Sequence, residues 1–324
     1  MIDPLGRWAE LGYKPDYAGL LTWSGLPYTE DPAELDGIDV AIVGAPTDDL
    51  VSERPGARYG PRAIRAASSL AGPHPEVGID AFEVLEIVDF GDAAVVPGDP
   101  VTTHAAIAET VGAVVAAGAL PIVLGGDHSI AEPDVRAAAA PHGPVGLIQF
   151  DTHTDTWPDV FGAELSHGTP MYRLVEAGVV DPERYVQIGI RGYTHDEDVW
   201  VWQRERGITT HRMHEVRDRG LDAVLADTID RVGTGPTFLT VDVDVLDPAF
   251  APGTGTPEPG GMTSIDLLRA CREIAASVEL IGADVVEVLP ERVGSRDITA
   301  QVADRVVREI LTGIAQRRVA GSGG

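Results

Sequence analysis

The amino-acid sequence predicts an α/β fold, a three-layer αβα sandwich around a mostly parallel sheet of about eight strands. Short apolar runs rich in β-forming residues recur along the 324 residues, and segments with apolar residues at helical spacing separate them. This alternation is typical of strand–helix–strand units, which place helices on both faces of a parallel sheet. The candidate strands are residues 39–46, 82–90, 120–127, 146–151, 185–190, 207–213, 237–244 and 278–288, and the candidate helices include residues 103–118, 222–232 and 264–277.

The domain organisation follows from the absence of any break in this pattern. Neither a low-complexity linker nor a fixed-period repeat divides the sequence. We therefore expect a single α/β domain over residues 37–318. An N-terminal extension over residues 1–36 is expected to pack on this domain, and residues 319–324, rich in glycine, are expected to form a flexible tail.

Composition excludes several classes of function. The formal net charge of −27, from 51 acidic against 24 basic residues, would repel a phosphate backbone, so no nucleic-acid partner is expected. The longest apolar stretch, residues 111–124, is too short to span a bilayer and contains Pro121, so no membrane partner is expected. Cys271 is the only cysteine, which excludes an intrachain disulfide and favours the reducing cytoplasm.

Acidic residues and histidines follow several of the predicted strands. The stretch DTHTD comes directly after the apolar run GPVGLIQF, and an extended backbone would place Asp151, His153 and Asp155 on one side. In TVDVDVLDP, Asp242 and Asp244 also stand two positions apart. Ligands of open parallel sheets bind at the carboxyl ends of the strands, so these side chains are expected to share one site.

Each of these motifs also has a simpler interpretation. His128 in GGDHS could cap the following helix as readily as bind a metal, and the acids could be solvated loop residues. Two strand exits with paired carboxylates in one sheet favour a shared site over coincidence. Four buried carboxylates without counter-charges would be very costly and would take up protons instead.

A binuclear metal site would balance these charges. Two divalent cations would neutralise four carboxylates, and in such sites the metals lie about 3.5–4 Å apart and activate a shared water. Oxygen ligands outnumber imidazoles and no thiolate is available, which favours manganese over zinc, while cobalt, nickel and zinc remain admissible. The predicted ligands are His128, Asp151, His153, Asp155, Asp242 and Asp244.

Five ordered motifs resemble those of the ureohydrolases, the arginase and agmatinase family. They are GGDHS, DTHTD, SHGTP, DVDVLDPAFAPGTGTPEPGG and VVEVLP, and the resemblance extends upstream to RPGARYGPRAIR. It covers the chain from about residue 37 to about residue 315. The resemblance implies an arginase/deacetylase-like sandwich, two Mn²⁺ per chain and a homo-oligomer, either a trimer or a hexamer.

The resemblance also implies roles for individual residues. A hydroxide bridging the metals would attack the guanidinium carbon, and the tetrahedral intermediate would collapse to urea and an amine. Asp155 would accept a hydrogen bond from the hydroxide, and Glu287 would clamp the planar guanidinium. His167 would carry protons, although a loop histidine could simply shape the mouth of the site. One manganese would be held by His128, Asp151, Asp155 and Asp242, and the other by Asp151, His153, Asp242 and Asp244.

The sequence gives less information about the substrate. Thr156 and Trp157 stand where arginases usually carry residues that hold the amino-acid head, so free arginine is disfavoured. Agmatine is expected, with 4-guanidinobutyrate, 3-guanidinopropionate or a related guanidino acid as the alternative. Thr152, where the family usually has alanine, and Leu50 and Val51 are the visible departures. Candidates for reading the distal group of the substrate are Asp159, Glu164, Arg173, Arg191, Asp196 and Glu197.

Two other classes of protein are compatible with the predicted fold. A deacetylase-like enzyme would hold one zinc ion, but its paired-histidine motif is not found in the sequence. A non-enzymatic relative would be expected to have lost ligands, whereas all six are present. Both alternatives are therefore less well supported than a ureohydrolase.

Overall fold

The computed structural model describes residues 8, 10, 15, 17–69, 72–194, 197–291 and 297–322. Its eight strands form one sheet in the order β2-β1-β3-β8-β7-β4-β5-β6, and all neighbouring strands are parallel. Helices cover both faces, which confirms the predicted three-layer sandwich. The strands are β1 (Val40–Ala45), β2 (Ile87–Asp92), β3 (Leu120–Gly125), β4 (Val145–Phe150), β5 (Val180–Ile190), β6 (Thr209–Arg212), β7 (Pro236–Asp242) and β8 (Glu279–Val286).

The predicted helices are also found, together with shorter ones that the sequence pattern did not reveal. Among the described helices none is both long enough and apolar enough to cross a membrane. The helices are α1 (Gly60–Ala67), α2 (Ala81–Val84), α3 (Pro100–Ala116), α4 (Ala131–Ala139), α5 (Pro170–Glu176), α6 (Glu197–Arg206), α7 (Met213–Arg219), α8 (Leu221–Val232), α9 (Ser264–Ser277) and α10 (Ile298–Ser322).

The hydrophobic core lies on both faces of the sheet because strand side chains alternate. In β1, Val40 and Ile42 pack in the cluster that includes residues of α9 and α10. Ala41, Val43 and Ala45 point the other way and pack with residues of α3. A strand buried on both faces reads as a continuous apolar run, which explains why the central strands were recognised in the sequence.

One predicted strand is helical over its first half in the structure. The run at residues 82–90 begins as the short helix α2, and only its second half belongs to β2. Asp80 causes this difference, since its side chain accepts a hydrogen bond from Phe82 N at 3.0 Å and caps the helix.

The segment before β1 contacts the domain through Trp23. This residue is fully buried and stacks on Phe82 with 5.9 Å between ring centroids. Its backbone nitrogen donates to Asp89 Oδ2 at 2.7 Å, and the guanidinium carbon of Arg308 lies 5.0 Å from the centre of its ring. At the other terminus α10 continues through Ser322, so residues 319–322 of the expected tail are helical.

Candidate metal centre and substrate pocket

Four central strands of the sheet end in the residues that the sequence singled out. GGDHS follows β3, VVEVLP includes the end of β8, DVDV includes the end of β7 and DTHTD follows β4. These strands are consecutive neighbours in the order β3-β8-β7-β4. The parallel sheet therefore brings motifs that are far apart in the sequence to one edge, as the sequence predicted.

Glycine permits the close packing of the first motif against its neighbours. A Cβ atom on Gly126 would lie 2.5 Å from the carbonyl oxygen of Ala45 and 2.6 Å from that of Thr47. Asp127 then caps the turn that follows, because its Oδ1 accepts from Ser129 N at 2.9 Å. Capping is thus performed by Asp127, which leaves the side chain of His128 available for another role.

The DTHTD segment reaches the site by a different path from the one predicted. The expectation of an extended backbone with alternating side chains was wrong, because β4 ends at Phe150. Asp151 Oδ1 accepts from His153 N at 2.5 Å, which turns the chain, and Asp155 has a φ of 50°. The three side chains converge because the chain bends around the site.

The second acidic strand exit is built in a similar way. Asp242 ends β7, and its Oδ1 accepts from Asp244 N at 2.8 Å at the start of a short 3₁₀ turn. Asp244 Oδ1 accepts from Thr152 N at 3.1 Å. This bond connects the exit of β7 directly to the exit of β4.

The six predicted ligands form two overlapping groups. His128 Nδ1 lies 3.0 Å from Asp151 Oδ2, 2.9 Å from Asp155 Oδ2 and 3.4 Å from Asp242 Oδ2. In the second group, His153 Nδ1 lies 3.0 Å from Asp244 Oδ2 and 3.7 Å from Asp151 Oδ1. Asp151 belongs to both groups with one oxygen in each, which is the arrangement that a bridging ligand requires.

The proton affinities of these side chains reflect the crowding of negative charge. Burial, together with the charges of Asp155 and Asp244, raises the pKa of Asp151 to about 7. Burial and the charges of Asp244 and Asp151 also hold the pKa of Asp242 well above its usual range. Burial alone would lower the pKa of His128, but three neighbouring carboxylates outweigh burial and raise it. In the absence of cations, protons must therefore supply part of the missing positive charge.

The donor set fits two divalent cations. Among the described residues, His128 Nδ1 and Asp244 Oδ2 are buried without a hydrogen-bond partner. Thr240 lies between His128 Nε2, at 2.9 Å, and Asp284 Oδ1, at 2.6 Å. Because its one hydroxyl hydrogen goes to the carboxylate, its oxygen accepts from Nε2 and leaves the lone pair on Nδ1 free. This is the tautomer that a metal-binding imidazole needs.

Glu287 and His167 lie beside the cluster. Glu287 has a φ of 61°, and its Oε1 accepts from His128 N at 3.0 Å and from His167 Nδ1 at 2.9 Å. Its Oε2 is buried without a hydrogen-bond partner in the described part of the chain. One carboxylate oxygen is thus held by the protein, which leaves the other as the candidate contact for a ligand.

The protonation of His167 is subject to two opposing influences. Burial lowers its pKa, but the hydrogen bond and charge of Glu287 outweigh burial and raise it to about 9. On the other side, the backbone nitrogen of Ser52 donates to Nε2 at 3.0 Å, which favours the neutral ring. A cation bound to Glu287 would weaken the effect of Glu287 on the pKa of His167. This histidine is therefore suited to gain and lose a proton during turnover.

A pocket of about 320 Å³ opens next to the cluster. Its inner wall includes His153, Asp155 and His167, and its outer wall carries aromatic side chains. Phe161 and Tyr193 are 95% and 98% exposed, which is unusual for side chains of this size. The remaining lining residues are Ser52, Trp157, Asp159, Val160, Gly168, Thr194 and Thr256.

Of the residues expected to read the distal group of the substrate, Asp159 lines this pocket. The two arginines face elsewhere. Arg173 pairs with Glu132 at 2.7 Å, and the Arg191 guanidinium donates to backbone carbonyls that include those of Asp244 and Leu246. The pocket lining does not include Glu164 or Glu197, and Asp196 lies outside the described residues.

Several residues of the site were not found from the sequence. Ser52, Thr240 and Asp284 contact His167 or support His128, but none belongs to a recognisable ligand pattern. Gln149 donates to Asp151 Oδ2 at 2.7 Å and was classified as part of a buried strand. A polar residue inside an apolar strand was the available signal, since buried polar groups need partners.

A cluster of carboxylates and imidazoles at the edge of a parallel sheet, beside a pocket, is an arrangement that suits a metal-dependent hydrolase. The comparisons with known proteins identify the family within this class. The arginase family model matches residues 38–313. The chain belongs to the arginase family and is a ureohydrolase that acts on guanidino compounds, as the sequence motifs indicated.

Individual relatives cover most of the chain. Guanidinobutyrase of Pseudomonas aeruginosa is 39% identical over 85% of this chain and 86% of its own. Agmatinase of Chromobacterium violaceum is 40% identical over 94% of this chain and 92% of its own. Among solved structures, proclavaminate amidino hydrolase from Streptomyces clavuligerus has a TM-score of 0.88 and 35% identity, covering 94% of this chain and all of that one.

Proposed function

We infer that the protein hydrolyses agmatine to putrescine and urea at a centre of two manganese ions. The observation that carries this proposal is the convergence of two imidazoles and four carboxylates beside a pocket whose described lining includes Asp159 and neither lysine nor arginine. The proposed ligands are those predicted from the sequence, His128, Asp151, His153, Asp155, Asp242 and Asp244. Oxygen-rich ligand sets of this kind favour Mn²⁺, although Co²⁺, Ni²⁺ and Zn²⁺ could also bind.

The bound cations would neutralise the four carboxylates and make a hydroxide available at neutral pH. The rest of the chemistry falls to the side chains. Glu287 offers the unpartnered Oε2 to the guanidinium, whose forked N–H donors match a carboxylate. This contact fixes the orientation of the guanidinium plane, and Asp155 accepts a hydrogen bond from the nucleophile.

The leaving amine must gain a proton when its bond to carbon breaks. His167 is held by Glu287 on one nitrogen and by Ser52 on the other, and it lines the pocket. In the metal-free protein, the hydrogen bond and charge of Glu287 raise the pKa of His167 to about 9, so the ring is suited to take up a proton and pass it to the amine. The products are then neutral urea and the ammonium form of the amine.

The pocket lining favours a substrate with a distal ammonium. Among the described lining residues, Asp155 and Asp159 are acidic and none is lysine or arginine. An ammonium would be attracted by Asp159 and by the faces of Trp157 and Tyr193, whereas a carboxylate at this outer wall would find no lysine or arginine among the described lining residues. This is why agmatine fits the described lining better than a guanidino acid.

A guanidino acid remains the second candidate. Guanidinobutyrase and guanidinopropionase are about as similar to this chain as agmatinase is, so 4-guanidinobutyrate and 3-guanidinopropionate are the compounds to compare. Urea release from agmatine, both guanidino acids, guanidinoacetate, arginine and guanidine, each measured as kcat/KM with Mn²⁺, distinguishes them. A higher value for a guanidino acid would overturn the choice of agmatine and leave the ureohydrolase reaction intact.

Two further properties are part of the proposal. A homo-oligomer, trimeric or hexameric, is expected from the family resemblance, and light scattering that gives the mass of one chain, 34.2 kDa, would exclude it. A cytoplasmic location is expected from the single buried cysteine, Cys271.

A further inference from the structure

A continuous set of buried polar side chains lies behind the segment that carries three of the predicted ligands. It begins at Asp151 and crosses β4, β5 and β6 to reach α6. Each of its amides is buried, with Gln149 and Gln187 fully shielded from solvent and Gln203 3% exposed. Burying an amide side chain costs free energy unless the amide is hydrogen-bonded. The hydrogen-bond partners of these amides therefore indicate their role in the structure.

The inner end of this chain holds the metal-ligand segment in two places. Gln149 Nε2 donates to Asp151 Oδ2 at 2.7 Å, and Gln187 Nε2 donates to the carbonyl oxygen of Thr154 at 2.7 Å. Gln187 Nε2 also lies 2.9 Å from Gln149 Oε1, which accepts from the hydroxyl of Tyr185 as well. Because donors occupy Gln149 Oε1, its amide nitrogen must face Asp151.

The outer end reaches the wall of the substrate pocket. Thr210 Oγ1 lies 3.1 Å from Gln187 Oε1 and 3.1 Å from Gln203 Oε1. Gln203 is on α6, and its Nε2 lies 2.8 Å from the hydroxyl of Thr156. Thr156 precedes Trp157, which lines the pocket. The hydroxyl of Thr210 has one hydrogen to donate and lies between the amide oxygens of Gln187 and Gln203. The segment 151–156 is therefore held at its start by Gln149, at its middle by Gln187 and at its end by Gln203.

We propose that Gln187 is a positioning residue that holds the segment 151–156 in its metal-binding conformation, and that Gln203 extends this support to the substrate wall. Among the described residues, Gln187 has no hydrogen bond to a predicted ligand side chain, so it acts through Gln149 and through the backbone of Thr154. The segment needs such support because it leaves the strand at Phe150 and bends, with Asp155 in the left-handed region. Outer-sphere partners of this kind orient the ligands of metal sites.

The test uses Gln187→Met, which keeps the length of the side chain and removes its amide. Metal-stripped protein is titrated with MnCl₂ by calorimetry, and KM and kcat for urea release from agmatine are measured at saturating Mn²⁺. We expect the Mn²⁺ dissociation constant of Gln187→Met to rise about 10- to 100-fold. Saturating Mn²⁺ should restore kcat to within about threefold, because the ligands themselves are intact.

Two matched variants serve as comparisons. Gln203→Met should leave the Mn²⁺ dissociation constant within about twofold and raise KM about fivefold, because Gln203 supports Thr156 rather than the ligands. Gln301→Met, exposed on α10, should change neither value. If Gln187→Met does not fold, Thr210→Val removes one hydroxyl from the same set and should weaken Mn²⁺ binding at least about threefold.

Unchanged Mn²⁺ affinity in Gln187→Met, or in Thr210→Val where that variant replaces it, would overturn the proposal even if the melting temperature fell. Such a result would mean that the amides only stabilise the fold. The proposal rests on the proposed metal centre, and the two can fail separately. Wild-type protein that binds no Mn²⁺ would refute the centre. If the wild type binds Mn²⁺ and releases urea, and Gln187→Met binds Mn²⁺ equally tightly, only the positioning role is refuted.

Discussion

Replacing Asp242 by asparagine should make the metal-free protein more stable and the metal-loaded protein less stable than the wild type. The asparagine side chain would keep the oxygen that accepts from Asp244 N, since the two side chains have the same shape. It would remove one negative charge from a cluster in which burial and neighbouring acids already raise the pKa of Asp242. The substitution therefore separates two effects of the carboxylate, the charge repulsion in metal-free protein and the binding of the metal.

The size of the repulsion can be estimated from the distances of the two carboxylates to His128 Nδ1. Asp151 Oδ2 and Asp242 Oδ2 lie 3.0 Å and 3.4 Å from His128 Nδ1. At about 6.4 Å, the largest separation that these distances allow, two unit charges repel by about 2–3 kcal/mol at an effective dielectric constant of about 20. Relief of this repulsion should raise the melting temperature of the metal-free variant by roughly 3–5 °C at a pH at which both acids are ionised.

Manganese should reverse the order of stability. At a free concentration of about 100 times the dissociation constant, each bound ion adds about 2.7 kcal/mol to the stability of the folded state. The wild type would gain this at two sites, whereas the variant has lost an oxygen ligand. Differential scanning calorimetry with EDTA and with MnCl₂ measures both conditions, and Asp230→Asn, an exposed acid on α8, is the matched control.

The reasoning would be refuted if the Asp242→Asn variant melted below the wild type in EDTA and gained as much as the wild type from manganese. That result would mean that Asp242 stabilises the fold without holding a metal. A variant that is more stable in EDTA but responds fully to manganese would confirm the repulsion and reject the ligand role.

Three further predictions follow from the same geometry. Glu287→Gln should bind both metals and lower kcat/KM about 10²–10³-fold, because an N–H group would replace the Oε2 that is proposed to bind the guanidinium. Unaltered turnover would reject the clamping role. In metal-free protein, the pKa of His167 is about 9 in the folded state and about 6.5 in the unfolded state. Protonated His167 therefore stabilises the folded state by up to about 3 kcal/mol, fully below pH 6.5, and this contribution is lost as the pH rises through 9. The difference in melting temperature between the wild type and His167→Asn should therefore shrink from pH 6 to pH 9.5, and a constant difference would contradict the raised pKa. Thr152→Ala removes a buried hydroxyl that has no hydrogen-bond partner among the described residues, so it should cost less than about 1 kcal/mol in thermal unfolding and keep urea release, whereas a large loss of either would assign the hydroxyl a function.

The sequence was most informative where buried strands end. β3, β4, β7 and β8 are buried over most of their length, and the polar residues that follow them mark the edge where the site forms. Charge also led to the correct grouping, because Asp151, Asp155, Asp242 and Asp244 make sense together only with counter-charges. Because the sheet is parallel, these strand ends lie at the same edge, so the fold class alone predicts that the residues come together.

The conformation of the ligand segments could not be predicted in the same way. The turn at Asp151 depends on a bond from its own side chain to His153 N, and the connection between the two exits depends on Thr152 N and Asp244. Both are local hydrogen bonds that compete with an extended strand, and the hydrophobic periodicity of the sequence does not reveal them. The support from Gln187 and Gln203 joins three strands and a helix, so no spacing in the sequence reveals it.

The most direct test of a binuclear ureohydrolase is urea release as a function of the Mn²⁺ added to metal-stripped protein. Agmatine is the first substrate, and the guanidino acids are used under the same conditions. The proposed centre predicts that urea release reaches its maximum at two equivalents of Mn²⁺ per chain. Full activity at one equivalent, or no urea from any guanidino compound at two, would contradict it.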